Sequence, residues 1–441
     1  MNAEHPGRGL RIVMLGPFGL GPKMTIRRRA LPAARALAAR GHAVTLLLPP
    51  WHTPAEADRA WDDDVPGVRI VHVALAGLRI PIVGHAIVAV RMARMALALE
   101  PDIVHAFKPK AYSGLAATML WLGRQSRMLR LWPLSPSRRD AARPFRLIVD
   151  TDDWEGAGGW NDLERYSRAQ RAVFAWQERW GLTHADHVTV ASRALEGLAW
   201  AMGVPPARVM YLPNAMDDSL GIDGGDPVAA TSANHGRSTS PRPPTLLLYT
   251  RFFEFALDRP LDVLARVRAA VPDTRLIVAG TGLFGEERRF AELAARRGLA
   301  DAVEMRGWLD PQAAAATFAE ADIALYPFDD TLVNRTKSPF KLLELMSAGL
   351  PIVADAVGEL REVIVDGVSG RVVAAGDDGA MAEAVVALLR DGSLHARLGD
   401  GARTRVSEAY VWSTRAMSLE RAYDQAMSFR PTTRSIPTHP P

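Results

Sequence analysis

Two doubly wound α/β domains facing across a cleft are the fold this 441-residue sequence predicts. Three observations carry that expectation. Compact apolar strands alternate with amphipathic helices through both halves of the chain, a pattern that builds parallel sheets covered by helices on both faces. Between the halves, Met216 to Pro244 is rich in Gly, Asp, Ser, Thr and Pro and has no apolar periodicity, which marks a linker. The alternation then restarts, so the second half is a domain of its own. Ligands of such sheets bind at the carboxyl ends of the strands, and two facing sheets create an interdomain cleft.

The first half opens with the strand Leu10 to Leu15, a glycine turn through Gly16, Gly19 and Gly21, and a helix from about Thr25 to Arg40. Gly41-His42 ends that helix and Ala43 to Leu48 is the next strand. The glycines permit a tight turn and close approach of a ligand, and Gly19 and Gly21 are candidate donor contacts. Their spacing departs from G-x-G-x-x-G, so a nicotinamide or flavin site is not expected here. Val68 to Ala74 is a strand, a helix covers about Gly84 to Leu99, and another strand runs through Ile103-Val-His105-Ala. Arg146 to Val149 leads into Asp150-Thr-Asp152-Asp153-Trp154-Glu155-Gly156. A long helix from about Asp162, a strand near Val188 and a short strand ending at Pro213-Asn214 complete this half.

In the second half Thr245 to Tyr249, Arg275 to Ala279, Val303 to Gly307 and Asp322 to Tyr326 are strands, with Gly280-Thr-Gly282 after the second. The stretch Asn334 to Glu362 is the most informative. Ser338-Pro339 reads as a hydroxyl N-cap followed by proline, and Phe340, Leu343 and Met346 give the apolar stripe of a short helix. Gly349 and Pro351 stop it, and Ile352-Val-Ala is a buried strand. Such a helix start offers N–H groups to a phosphate, with Lys341 and Glu344 near it on one face. An ordinary surface helix with a Lys/Glu pair explains the local pattern equally well. Trp412-Ser413 starts a final helix to about Met427, and Arg430 to Pro441 has a disordered composition.

Composition narrows the function. The sequence has no cysteine, which excludes disulfides, thiol catalysis and Cys-based zinc sites and fits a reducing compartment. Met1 to Gly9 is polar and has no apolar h-region. Val71 to Leu99, the most apolar region, is interrupted by Arg79, His85, Arg91 and Arg94, so no uninterrupted run spans a bilayer. A cytoplasmic protein is expected. Net charge is +4, yet Arg124, Arg127, Arg130, Arg138, Arg139, Arg143 and Arg146 cluster around Leu131, Trp132 and Leu134. A solvated loop accounts for that run. Its functional reading is contact with an anionic membrane surface or acceptor, which would hold the protein peripherally on the inner face of a membrane.

The chain resembles the GT-B glycosyltransferases, and within them the retaining GT4-like group, over about Arg11 to Tyr423. The residues that carry the likeness are Tyr249-Thr-Arg251-Phe, Val278-Ala-Gly280-x-Gly282, Arg306-Gly307-Trp308, and Ser338-Pro-x-Lys341-x-x-Glu344 through Gly349-x-Pro351. Gly41-His42-x-Val44, Asp102-Ile-Val-His105 and Ala185-Asp186-x-Val188 match more loosely. The resemblance implies two Rossmann-like domains: residues 1–215 for the acceptor, a linker at 216–244, residues 245–410 for a nucleotide-sugar, a crossover helix at 411–428 and a tail at 429–441. It implies that Arg251 meets the donor diphosphate, Lys341 adds a second charge, Glu344 accepts from the ribose hydroxyls, and the turn at Arg306 and Trp308 holds the base. The nucleotide-sugar is a substrate, the acceptor a glycan or lipid-linked hydroxyl, and neither a metal, a cofactor nor a nucleic-acid partner is expected. Donor contacts are also expected from Gly19, Gly21, Gly280, Gly282, Thr336, Lys337 and Ser338.

The departures matter. The family's Glu-x₇-Glu pair has Thr336 at its first position, leaving Asn334, Thr336 or Lys337 to meet the sugar. The usual lysine after the phosphate arginine is missing, with Arg259 or Lys341 as compensating candidates. Where many members carry histidine, this chain has Asp152-Asp153-Trp154, and His105 lies a strand earlier. Three roles are open for the Asp150 to Glu155 cluster: a metal-binding Asp-x-Asp motif, acceptor engagement by Asp152, Asp153, Trp154 and His105, or a structural loop. Catalytic roles fall on Asp152, Asp153, Arg251 and Lys341. A non-catalytic, degenerate transferase that binds a nucleotide-sugar or a glycan is the alternative.

Overall fold

A computed structural model describes residues 9–21, 24–63, 65–77, 81–125, 145–218 and 242–428. The first sheet has eight strands: β1 (Arg11–Leu15), β2 (Ala43–Leu48), β3 (Ala60–Asp62), β4 (Val68–His72), β5 (Ile103–Phe107), β6 (Arg146–Thr151), β7 (His187–Val190) and β8 (Val209–Tyr211), in the order β3-β4-β2-β1-β5-β6-β7-β8. All neighbours are parallel except β3, an antiparallel edge strand too short to read from the sequence. The second sheet has six parallel strands: β9 (Thr245–Tyr249), β10 (Arg275–Ala279), β11 (Val303–Gly307), β12 (Ile323–Tyr326), β13 (Ile352–Asp355) and β14 (Arg371–Val373), in the order β11-β10-β9-β12-β13-β14. Nearly continuous Val/Ile/Leu runs such as Arg11-Ile-Val-Met-Leu15 suit strands covered on both faces.

The first domain carries α1 (Leu31–Ala38), α2 (Pro81–Ala98), α3 (Ala111–Gln125), α4 (Trp160–Leu163), α5 (Arg168–His184) and α6 (Arg193–Ala201). The second carries α7 (Arg259–Ala270), α8 (Glu286–Arg296), α9 (Pro311–Glu320), α10 (Leu332–Thr336), α11 (Phe340–Ser347), α12 (Leu360–Val363), α13 (Asp378–Arg390) and α14 (Gly392–Ala409). The helix expected from Thr25 begins instead as a π-turn at Ile26–Ala30. Pro32 has no N–H for the carbonyl of Arg28, so the ordinary hydrogen bond there cannot form and the turn widens. That turn splits two successive arginines: Arg29 goes into the domain and Arg28 toward the second domain. Helix α3 is apolar nearly all round, so it lacks the polar face by which periodicity marks a helix.

The last helix, α15 (Trp412–Ser428), returns to the first domain. Trp412, Ala416, Leu419, Tyr423 and Ala426 are spaced along one face and packed against Met14, Ile103, Phe107 and Ile148. Two chain crossings join the domains side by side: Met216 N donates to Tyr410 O at 2.7 Å and Trp412 N to Met216 O at 3.0 Å. The middle of the expected linker and the tail at 429–441 lie outside the described residues.

Candidate active site

Residues expected to contact a donor come together where β9, β10 and α11 meet. Gly280 has φ +127, and a Cβ there would collide with the Thr250 carbonyl, so this approach of the β10 end to the β9 end requires glycine. Into the same space α11 sends Lys341, whose Nζ donates to Thr250 O at 2.8 Å and lies 4.0 Å over the Tyr249 ring. Burial pushes Lys341 down to about 8 against the pull of Glu254, with repulsion from Lys337 and Arg251 added. The Arg251 side chain is exposed beside it, 5.4 Å over the ring of Trp160 from the first domain, and pairs with no carboxylate among the described residues.

Sequence reasoning passed over Glu254. It is buried and accepts from Thr250 Oγ1 at 3.0 Å, Arg251 N at 3.1 Å and Lys337 Nζ at 2.7 Å. Burial works upward on it, but Lys337 and Lys341 win and hold it below the usual carboxylate range. Lys337 is thereby neutralised by a carboxylate from another segment. The only hint was an acid three residues beyond Arg251. Arg259 does not stand in for the missing lysine: its guanidinium is shared among Asp329, Asp355 and Asp378 at 2.8 to 3.1 Å. Of the two candidates for that role, Lys341 alone reaches the site.

Several expected donor contacts are placed otherwise. Thr336 is buried, and its hydroxyl donates back to Leu332 O at 2.9 Å inside α10. Ser338 does not cap α11, whose N-cap is Pro339; its Oγ accepts from Asn214 N of the first domain at 3.0 Å. Asn334 is buried and donates to Glu254 O and Asp329 O at 2.6 and 2.9 Å. The Gly282 amide is taken by Glu287 at 2.8 Å. The Arg306 side chain is bound to Glu304, Glu320 and Thr317 on its own domain, leaving the backbone of that turn, while Trp308 is 72% exposed. Gly19 packs near Pro50, and Gly21 faces open space.

Glu344 is buried on α11, and Arg28 of the first domain meets its Oε1 at 2.5 Å while lying 4.4 Å over the Phe340 ring. The carboxylate expected to hold the ribose therefore holds a cross-domain arginine here. Its Oε1 suits hydroxyl donors equally well, since a carboxylate only accepts.

In the first domain, the Asp cluster resolves into separate jobs. Asp150 is fully buried and takes a bidentate bond from Arg29 at 2.6 and 2.7 Å plus Thr189 Oγ1 at 2.6 Å. Asp152 and Asp153 instead meet Lys108 Nζ at 3.3 and 2.9 Å, and Glu155 meets Lys108 and Lys110 at 3.2 and 2.9 Å. Burial alone would discharge Lys108, but Asp152, Asp153 and Glu155 hold it charged well above the usual lysine range. Burial lifts Asp153 above the usual carboxylate range in spite of Lys108. Lys108 and Ala111 both adopt left-handed φ, +50 and +51, so a strained Lys108-Pro-Lys110 turn carries these amines to the strand ends. Sequence reading passed over both lysines; a Lys-Pro-Lys at the carboxyl end of a strand was the available signal. Behind them Glu178 is fully buried, accepts from Thr151 Oγ1 at 2.6 Å, and is pushed up to about 8 by burial.

Two acceptor candidates are corrected. His105 is fully buried under α15, with Nδ1 at 2.9 Å from Tyr423 OH, and burial keeps it neutral. Trp154 is folded over by its own loop: Nε1 donates to Ala157 O at 3.0 Å, and Gly156 and Gly159 leave room for its indole. Both ends of the arginine-rich run, Arg124 and Arg146, lie against Asp186 within the domain; the rest of the run lies outside the described residues.

Arg251 at a strand end of the second domain thus lies over Trp160 of the first, whose own strand ends carry a lysine-tied carboxylate pair. Residues 243–391 match the model of the glycosyl transferases group 1, and residues 25–215 match the glycosyl transferase 4-like domain. The chain belongs to the group 1, GT4-like glycosyltransferases and has their GT-B fold. Among its relatives, the phosphatidyl-myo-inositol mannosyltransferase of Mycobacterium leprae is 26% identical, over 94% of this chain and 96% of that protein. A GDP-mannose-dependent alpha-(1-6)-phosphatidylinositol monomannoside mannosyltransferase of Mycolicibacterium smegmatis is 28% identical over 68% of this chain and 74% of that one. Among solved structures, sucrose-phosphate synthase from Thermosynechococcus elongatus superposes with TM-score 0.65 at 20% identity, covering 95% and 99% of the two chains. Anabaena HepE in complex with UDP and glucose gives 0.61 at 15% identity, covering 94% and 99%.

Proposed function

We propose that this glycosyltransferase moves a hexosyl unit from a UDP- or GDP-sugar to a hydroxyl of a lipid-linked or glycan acceptor, with retention of anomeric configuration. The observation that carries this is the convergence of exposed Arg251 with Lys341 at the ends of β9 and β10, beside a glycine that leaves backbone room. A planar guanidinium and an ammonium suit a diphosphate, and Glu344 suits ribose hydroxyls. As the bond from the anomeric carbon to the diphosphate breaks, Arg251 and Lys341 stabilise charge developing on the leaving oxygen. The acceptor hydroxyl attacks from the face the diphosphate leaves, and its proton passes to the departing phosphate. Asp153, steadied by Lys108, orients that hydroxyl. Phosphoinositol-type acceptors are supported by the names of the relatives. With these cations supplying the positive charge, no step needs a metal.

A panel of UDP- and GDP-sugars with phosphatidylinositol or a soluble glycan as acceptor tests this. Transfer that persists in EDTA and is lost in Arg251→Ala and Asp153→Asn is expected. Nucleotide binding without hydrolysis or transfer across the panel would instead make the protein a binding module.

A further inference from the structure

Three helices that cover one face of the first sheet, α2, α3 and α5, lie side by side and present a surface without an exposed carboxylate. α2 and α3 contain no Asp or Glu, and the single acid of α5, Glu178, is buried. Four large apolar side chains stand out from these helices: Val83, Leu122, Val173 and Trp176, each 45% to 48% exposed. Arg91, Arg94, Arg168 and Arg179 are exposed on α2 and α5, and none pairs with a carboxylate among the described residues. Arg171 of α5 pairs with Asp162, as Arg297 does with Asp262 and Arg335 with Asp330 elsewhere, while Arg27, Arg266 and Arg275 are likewise exposed with no carboxylate partner among the described residues. On α5, Arg168, Ala172, Trp176 and Arg179 fall on one face by their spacing.

We propose that this face docks on an anionic lipid bilayer. A tryptophan between arginines suits the headgroup level, where the indole is partly buried and the guanidinium groups meet lipid phosphates. A second copy of the chain fits poorly, because a two-fold contact would set arginines against arginines with no carboxylate between them. The face also adjoins the cleft. The rings of Tyr166, just before α5, and Phe174, in its second turn, each lie 4.7 Å from Lys110 Nζ, which pairs with Glu155 of the proposed acceptor side. Docking by α5 would therefore bring a membrane-held hydroxyl to the acceptor side; that consequence rests on the proposed acceptor, whereas the docking itself does not.

Each cation near an anionic surface contributes about fivefold to partitioning. Full-length protein is sedimented with vesicles of phosphatidylcholine alone, or with a third of the lipid replaced by phosphatidylglycerol. We expect binding to the anionic vesicles only, lowered at least about 25-fold by Arg168→Glu/Arg179→Glu. Trp176→Ser should lower it several-fold. Reversing exposed Arg288 and Arg296 on α8 should leave it in place. Equal binding to neutral vesicles, no binding, or equal loss in the α8 control overturns the proposal. So does light scattering that shows a dimer broken by Trp176→Ser. Thermal stabilisation of the same variants by UDP or GDP reports on the donor site alone, so the two proposals fail separately.

Discussion

Lys341→Arg should flatten the pH dependence of nucleoside diphosphate binding. Burial holds Lys341 at about 8, with its ammonium donating to Thr250 O at 2.8 Å. A bound diphosphate favours the charged amine, so the complex keeps a proton that the empty protein gives up above about pH 8. Affinity is then level below that pH and falls about tenfold per unit above it. Between pH 7 and 9 the loss should be roughly tenfold. Arginine stays protonated throughout, so the variant should bind with a flat profile. Lys341→Met removes a charged hydrogen bond of about 1.5–3 kcal/mol, roughly 10- to 100-fold in affinity at pH 7. Titration calorimetry with UDP and GDP from pH 7 to 9 reads all three proteins. A flat wild-type profile, or the wild-type slope in Lys341→Arg, refutes a diphosphate-facing Lys341. Folding linkage has the opposite sign: the unfolded chain binds the proton that folded Lys341 releases, so this residue makes stability rise with pH above about 8.

Glu178→Gln should raise the melting temperature at pH 8.5 but not at pH 5. The folded carboxyl at about 8 contributes stability that is complete below its unfolded value, about 4.3, and is lost as pH rises through about 8; an equal change at both pH values would refute this. Glu359 accepts from Arg193 N and Tyr211 OH across the domains, both at 2.6 Å, and burial pushes it up to about 7. Closure should therefore loosen as pH rises through 7, seen as a growing radius of gyration in solution scattering, and Glu359→Gln should abolish the change. Tyr423→Phe strands the buried His105 nitrogen and should cost about 1–3 kcal/mol in denaturant unfolding. Its acceptor KM should be unchanged; a raised KM would return His105 to the acceptor site.

Much of the fold was legible because strands buried on both faces announce themselves as apolar runs, and because Gly41, Gly349 and Pro351 punctuate the helices where periodicity ends. Elements without contrast were harder: α3 has no polar face, and β3 is too short to show alternation. In the candidate site, the placement of Arg251, Gly280 and Lys341 at strand ends and a helix start was legible, and the structure brings these three together. Glu254 could not, because its role is to neutralise Lys337, a residue 83 positions away.

The sequence by itself determined two α/β halves and the cations offered at their strand ends. Tertiary structure decided which charges are already spent. Arg259 had the same claim as Lys341 until three carboxylates enclosed it. His105 stood near the site in sequence but lies beneath the returning helix α15. Thr336 turned its hydroxyl into its own helix. Whether a polar side chain faces a ligand or the protein depends on partners brought from distant segments. A linear pattern encodes its own periodicity but not the charge that will pack against it.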